Sequence, residues 1–236
     1  MRHRSPLFWA LLAGALVIAA AFAPVLWQVA TLPAGPAPVG GSLPAPWEIE
    51  RDAAGTVHAF GLHLPGSTLA DARSRWGDDL QVALIGRRGQ PAALEAYIER
   101  YVGAGVGGKL VLATGADAQA VQRWQSRSPR REVIDADAQR WALHADDRAE
   151  ALREAVTGLS FLPGSRLDEQ ALQARFGPPA DRRLGEARTQ HWLYPARGLA
   201  IAWDADSGRT LVQLVAPADF GPRLMAPLET ASGPTR

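Results

Sequence analysis

One tetrapeptide, LPGS, occurs twice in this chain, and each copy opens a similar stretch. The first copy, Leu64–Ser67, continues as TLADARSRWG, and the second, Leu162–Ser165, continues as RLDEQALQARFG. Each stretch closes on an arginine, an aromatic residue and a glycine, at Arg75–Gly77 and at Arg175–Gly177. A pattern that returns in this way indicates a duplicated structural unit. This constrains the fold more than any other feature of the sequence.

Each LPGS is predicted to form a turn that starts a helix. Proline and glycine suit a turn, and Ser67 and Ser165 are expected to be N-caps, because a serine hydroxyl can accept a free backbone N–H. Ser165 and Asp168 resemble a capping box. The residues of the motif are Pro65, Gly66, Ser67, Trp76 and Gly77 in the first copy and Pro163, Gly164, Ser165, Phe176, Gly177 and Pro178 in the second.

The remaining pattern predicts mixed helices and strands. In the first unit we expect strands at 80–86 and 109–113 and a helix at 117–127. Residues 91–103 are predicted to be a helix, because apolar side chains recur there at spacings of three and four. In the second unit, residues 158–217 should form a helix and then a three-stranded antiparallel meander. Its buried side chains are expected to be Phe176, Trp192, Tyr194, Leu199, Ile201 and Leu214.

The N-terminal stretch predicts a membrane anchor. No charged residue occurs in residues 7–32, a run of 26, and a transmembrane helix needs about 20. Signal peptides have a shorter apolar core, and the signal-like site Ala21–Ala23 is followed by Pro24, where proline is poorly tolerated. We therefore expect an uncleaved single-pass anchor in the inner membrane, with the C-terminal part in the periplasm. A secreted protein with a long signal sequence is the alternative.

The sequence between the anchor and the first unit is rich in proline and glycine. At about 3.1 Å per residue, its fourteen residues can span roughly 40 Å as extended chain. The predicted division of the chain is therefore a cytoplasmic tip and anchor at 1–32, a linker at 33–46, a first α+β unit at 47–149, a second at 150–220 and a flexible tail at 221–236.

Composition excludes several kinds of site. The net charge is +1 and the only lysine is Lys109, so the chain lacks the basic excess of a general nucleic-acid binder. It contains no cysteine, which excludes disulfides, thiolate metal sites, cysteine nucleophiles and a lipid-bearing cysteine. We expect no cofactor and no metal.

The second unit resembles the SmpA/OmlA family, also called BamE-like. Its members open with glycine and serine or threonine, run a helix to a Gly-x-Pro stop and follow it with a Trp-x-Tyr strand. Gly164-Ser165, Gly177–Pro179 and Trp192–Tyr194 match that pattern within residues 158–217. The first unit matches over about 20 residues and lacks the Trp-x-Tyr strand.

The resemblance implies an α+β module with helices on one face of an antiparallel sheet. It also implies protein–protein contacts in the Gram-negative envelope. The tandem arrangement is similar to β-lactamase inhibitor proteins, which bind another protein with two such modules. The chain departs from the lipid-anchored assembly proteins because it has no cysteine, and this favours the inner membrane.

Motifs that suggest chemistry are incomplete. Residues 103–110, GAGVGGKL, fit the start of a phosphate-binding loop, but Leu110 stands where magnesium binding needs serine or threonine, so a flexible connector is favoured. His58 and His63 lie near no carboxylate cluster in the sequence, and His191 is expected on a sheet face or edge. Residues 204–208, DADSG, read as a hairpin turn, and no nucleophile-elbow pattern surrounds Ser165. Trp47 and Trp124 could anchor a partner if they are exposed.

The sequence therefore predicts a non-enzymatic, membrane-anchored periplasmic protein that binds another envelope protein. The alternative is a hydrolase or a ligand-sensing domain for cell-wall or lipid material, and a third hypothesis is a structural spacer. Clustered acidic and histidine side chains in a deep pocket would favour the alternative, whereas a sheet face with exposed aromatic side chains would favour binding.

Overall fold

The computed structural model describes residues 44–185 and 189–231. The predicted anchor at 1–32 and most of the predicted linker lie outside the described residues. No helix among the described residues is both long and apolar enough to cross a membrane.

The described residues form thirteen strands and five α-helices. The strands are β1 (Glu50–Arg51), β2 (Val57–Ala59), β3 (Leu62–Leu64), β4 (Leu80–Arg87), β5 (Ala93–Gly103), β6 (Val106–Thr114), β7 (Arg131–Val133), β8 (Ala138–Ala142), β9 (Val156–Pro163), β10 (Asp181–Leu184), β11 (Thr189–Tyr194), β12 (Leu199–Asp204) and β13 (Thr210–Val215). The helices are α1 (Leu69–Trp76), α2 (Ala118–Ser126), α3 (Arg148–Ala151), α4 (Glu169–Phe176) and α5 (Ala226–Ala231).

Ten of these strands form one sheet, in the order β10-β11-β12-β13-β9-β6-β5-β4-β8-β7. Every pairing in it is antiparallel. The two halves meet where β6 pairs with β9, so both predicted units share a sheet. Strands β1 to β3 form a separate three-stranded sheet. The α+β class with antiparallel strands is confirmed.

One face of the large sheet, which we call the first face, carries the main core. Helices α1, α2 and α4 bury their apolar sides in the same cluster as alternate residues of the strands. Both halves contribute to it, with Tyr101 and Trp124 from the first half and Trp192 and Ile201 from the second. The side chains predicted to be buried in the second half are confirmed: Phe176, Trp192, Tyr194, Leu199, Ile201 and Leu214.

The opposite, second face is partly covered by the C-terminal segment, residues 217–231. Phe220 and Leu224 pack there against Leu193, Ala200 and Val215. The segment forms a short π-helical turn that leads into α5. This differs from the loose tail expected from residue 221, because two apolar side chains fasten the segment to the sheet.

The helix predicted at residues 91–103 is wrong, since these residues form β5. Leu94, Ala96 and Ile98 alternate onto the first face, and a β-bulge after Ile98 brings Tyr101 back to that face. An extra residue at a bulge shifts the alternation by one. The spacing of the apolar residues therefore fits a helix as well as a bulged strand. The pairing of these residues with β4 and β6 stabilises the strand.

The predicted N-caps are also wrong by one to three residues. Helix α1 begins after Thr68, which forms a capping box with Asp71, and α4 begins after Asp168, whose side chain accepts the Ala171 N–H at 2.7 Å. The Ser67 hydroxyl instead accepts the His63 N–H at 2.9 Å within the preceding turn. Aspartate is as good a cap as serine, and threonine is also a preferred cap, so residue type alone could not place the helix start.

Candidate interaction surface

Strand register places a row of side chains across the second face. Gln81 pairs with Tyr97, Tyr97 with Val111, Val111 with Ser160, and Ser160 with Gln213. Residues that pair directly across neighbouring strands point to the same side of a sheet. The row therefore crosses from β4 to β13 and joins both halves of the molecule on one face.

The ring of Tyr97 lies between two cations in the first half of this row. Lys109 Nζ is 5.0 Å from the ring centroid, and the Arg140 guanidinium is 5.4 Å from it. The Tyr97 hydroxyl donates to Gln81 Oε1 at 2.6 Å, and Arg140 Nη2 donates to the same oxygen at 3.3 Å. Cation–π contacts and a shared acceptor thus fix the tyrosine orientation.

Carboxylates surround this group and balance its charge. Lys109 Nζ lies 3.0 Å from Glu99 Oε2, and Arg140 Nη1 lies 3.9 Å from Glu132 Oε2. Burial raises the pKa of the Tyr97 hydroxyl, and the Arg140 charge opposes that rise. The hydroxyl is therefore a neutral hydrogen-bonding group at neutral pH.

We call this group the Tyr97 surface, and it consists of Gln81, Tyr97, Glu99, Lys109 and Arg140. Gln81 is exposed, and the other members keep part of their surface in solvent. Tyrosine and arginine are the residue types that contribute most to binding energy at protein interfaces. Their stacked arrangement costs little further ordering on binding, so the surface can serve as a rigid contact for another protein.

A small cavity lies beside the Tyr97 surface on the same face. We call it the Glu95 cavity, and its polar lining residues are Glu95, Thr114, Ser160, Gln213 and Arg223. Glu95 stands in a row of small residues, since it pairs with Ala83 and with Ala113, which pairs with Gly158. The small side chains of this row leave space above the sheet, and this space is the cavity.

Burial raises the pKa of the Glu95 carboxyl to about 7, and the charges of Arg87 and Lys109 oppose that rise without cancelling it. A carboxyl that loses hydration without gaining a close cation favours its neutral form. No hydrogen bond or ion pair joins Glu95 to another described residue. Glu95 can thus either accept or donate a hydrogen bond near neutral pH.

The residues of the repeated motif lie away from these features and have structural positions. Gly77 and Gly177 end their helices at positive φ. The Gly164 N–H donates to the Gly107 carbonyl at 2.9 Å. The Tyr194 hydroxyl donates to the Gly177 carbonyl at 2.8 Å, and the Trp192 ring packs edge to face against Trp203. The glycines thus end both helices, and in the second copy the Tyr194 hydrogen bond joins the end of α4 to the sheet.

The two tryptophans considered as partner anchors are not free surface groups. Trp124 is fully buried, and its indole N–H donates to Glu150 at 3.2 Å, so it does not meet the condition of exposure that a partner anchor requires. Trp47 is partly buried, and the Arg175 guanidinium lies 4.8 Å from its ring centroid. This contact links the first residues of one half to the helix of the other.

The remaining motifs form turns and strand pairs. Residues 103–110 are the β5–β6 hairpin, closed by Ala104 and Gly105 at positive φ, so the expected flexible connector is an ordered turn. Residues 204–208 are a turn, as predicted, and hydrogen bonds from Ser207 lower the pKa of Asp204 to about 2.

His58 and His63 pair across β2 and β3, with ring centroids 4.6 Å apart. His58 Nε2 lies 3.3 Å from Asp52 Oδ2. Among the described residues, no group of three or more histidine and acidic side chains could hold a metal ion. His191 lies on the second face, where burial lowers the pKa of its imidazole.

The Tyr97 surface was missed from the sequence because its central strand was predicted to be a helix. Tyr97 then appeared to be a core residue. The only available signal was the alternation from Ala93 to Glu99, in which larger polar groups occupy every second position. That signal could have found the face but not Arg140, which comes from a distant strand.

The chain matches no family model, no curated protein and no solved structure.

Proposed function

We propose that this chain is a non-enzymatic, membrane-anchored periplasmic protein that binds another envelope protein through the Tyr97 surface. The observation that carries the proposal is the tyrosine ring held between Lys109 and Arg140 on a sheet face opposite the helices. Rigid aromatic and arginine groups of this kind are typical interface anchors. The uncharged run of residues 7–32 supports an inner-membrane anchor.

The repeated motif supports a tandem of BamE-like units. Both helices that follow LPGS pack into one core on the same side of the sheet. The resemblance to that family, and to inhibitors that bind with a tandem sheet, agrees with binding by the opposite face. In this proposal the motif is structural, and the second face provides specificity.

Site-specific photo-crosslinking in cells tests the proposal. A photoreactive amino acid at position 81 or 99 should capture one envelope protein, because both positions border Tyr97. The matched control is position 173, which is exposed on α4 beneath the opposite face. Capture of the same protein from all three positions, or from position 173 alone, contradicts binding by the Tyr97 surface.

A cell-wall or lipid-related hydrolase or ligand-sensing domain is the second candidate. One observation favours it: the pKa of Glu95 near 7 suits a general acid or base. Its test is hydrolysis of peptidoglycan or phospholipid by the purified chain. Turnover that disappears in Glu95→Gln while the fold persists would support this candidate over the first.

A further inference from the structure

The Glu95 cavity is lined by one fully buried polar atom without a partner among the described residues, Gln213 Nε2, and by the Glu95 carboxyl. Gln213 Nε2 is fully buried and makes no hydrogen bond with a described residue. The Glu95 carboxyl lines the same cavity and makes no hydrogen bond or ion pair with the described residues. Buried polar groups in native proteins nearly always have partners. A buried donor without a protein partner, beside a carboxyl in the same cavity, therefore indicates a ligand that carries a hydrogen-bond acceptor.

The size of the cavity limits what this ligand can be. Its volume is about 90 Å³. One water needs roughly 10–15 Å³ of such space, whereas pockets for free cofactors and drug-sized molecules occupy about 300–1,000 Å³. The cavity therefore accepts one side-chain group rather than a whole small molecule or a backbone segment.

The charges around the cavity restrict the ligand further. A cationic group would meet Arg223 in the wall and the nearby charges of Arg87 and Lys109. An anionic group would be repelled by Glu95 whenever that carboxyl is ionised, and it has no N–H to donate to it. A purely apolar group would leave Gln213 Nε2 unpaired, and burying an unpaired donor is costly. An uncharged group that carries both a hydrogen-bond acceptor and donors avoids charge repulsion and can pair with Gln213 Nε2.

We propose that the Glu95 cavity receives the primary amide of an asparagine or glutamine side chain of the partner protein. The amide oxygen accepts from Gln213 Nε2, and its N–H groups donate toward Glu95. The short apolar stem lies against Val111 and Ala113, which also line the cavity. This inference rests on the proposed function, because the side chain belongs to the protein that contacts the Tyr97 surface.

Propionamide is the probe that tests the inference. The full-length chain, isotopically labelled and solubilised in detergent, is titrated with propionamide while the backbone amide signal of Gly158 is followed by NMR. We expect a saturable shift with propionamide, and at least tenfold weaker binding of propionate and of propylammonium. Absence of a saturable shift, or equal binding of either charged probe, would overturn the inference.

Variants show whether the probe occupies this cavity. Gln213→Leu should weaken propionamide binding at least tenfold, and Ala113→Leu, which fills the cavity, should abolish it. The matched control Gln173→Leu, on α4, should leave binding unchanged. Propionamide affinity within twofold of wild type in a folded Gln213→Leu chain would place the probe elsewhere and overturn the inference.

Partner capture separates this inference from the proposed function. Ala113→Leu should reduce capture of the crosslinked protein, as Tyr97→Ala does. If Tyr97→Ala reduces capture and Ala113→Leu does not, the inference fails and the proposed function stands. If propionamide binds the cavity but neither variant affects capture, the proposed function fails, and with it the assignment of the amide to a partner.

Discussion

At the scale of single residues, Phe176 tests whether the second half packs as described. Its ring is 4 % exposed in the main core at the end of α4. Phe176→Ala should lower the free energy of unfolding by about 3–5 kcal/mol, because it removes a large buried side chain and leaves a cavity. Urea denaturation measures the change. The control is Val133→Ala on the exposed edge strand β7, where we expect less than about 0.5 kcal/mol.

Glu95 is expected to lower the stability of the fold as the pH rises, which is the opposite of the usual effect of a carboxylate. Its pKa rises from 4.5 to about 7 on folding, so between these pH values the folded state binds more protons than the unfolded state. Stability contributed by this group is therefore present at low pH and is lost as the pH rises through 7.

Glu95→Gln removes that loss, because glutamine does not titrate. The stability of the variant relative to wild type should increase between pH 5 and pH 8 by about 1–3 kcal/mol, allowing for partial solvent screening. Urea midpoints at the two pH values measure it. A relative stability that stays constant across this range would show that Glu95 is not desolvated in the folded protein.

At the scale of elements, the helix caps distinguish the structure from the sequence motif. Thr68→Ala and Asp168→Ala should each cost about 1 kcal/mol, since each removes an acceptor for a backbone N–H of the first turn. Ser165→Ala should cost less than about 0.5 kcal/mol, because Ser165 is exposed and precedes the cap by three residues. A larger loss of stability for Ser165→Ala than for Asp168→Ala would show that Ser165 is the N-cap of α4.

Much of the second half could be predicted from its sequence, because local signals there agree. The alternating strands of the meander and the glycine that ends α4 needed no distant information. The first half was harder, since the pattern of β5 fits a helix until the bulge after Ile98 is known. Strand β10 was not predicted, because Asp181–Leu184 contains three charged residues before its leucine, shows no alternation and pairs only with β11 at the sheet edge.

The candidate surface could not be predicted for a related reason. Tyr97, Lys109 and Arg140 come from three strands. The hydrogen bonds that join Tyr97 and Arg140 to Gln81 link residues 16 and 59 positions apart in the sequence. A single sequence contains no signal for such pairings. The anchor prediction, by contrast, depends only on local hydropathy and stays a prediction.

At the scale of the whole molecule, the proposed anchor should strengthen binding to a membrane partner. Tethering replaces a free encounter by one at a raised local concentration, and such linkage can raise apparent affinity by about 10²–10⁴. Replacing residues 1–32 with a cleaved export signal should therefore reduce capture in cells at least tenfold at equal protein level. Quantitative crosslinking measures this, and undiminished capture would argue against a tethered mode of action.

The central claim is that the Tyr97 surface binds the partner. It is tested most directly by the affinity of the purified chain for the protein captured in cells, measured for wild type, Tyr97→Ala and the matched control Gln173→Ala. We predict that Tyr97→Ala weakens the affinity at least tenfold, about 1.4 kcal/mol, with an unchanged melting curve and an unaffected control. An affinity of Tyr97→Ala within twofold of wild type would contradict the claim.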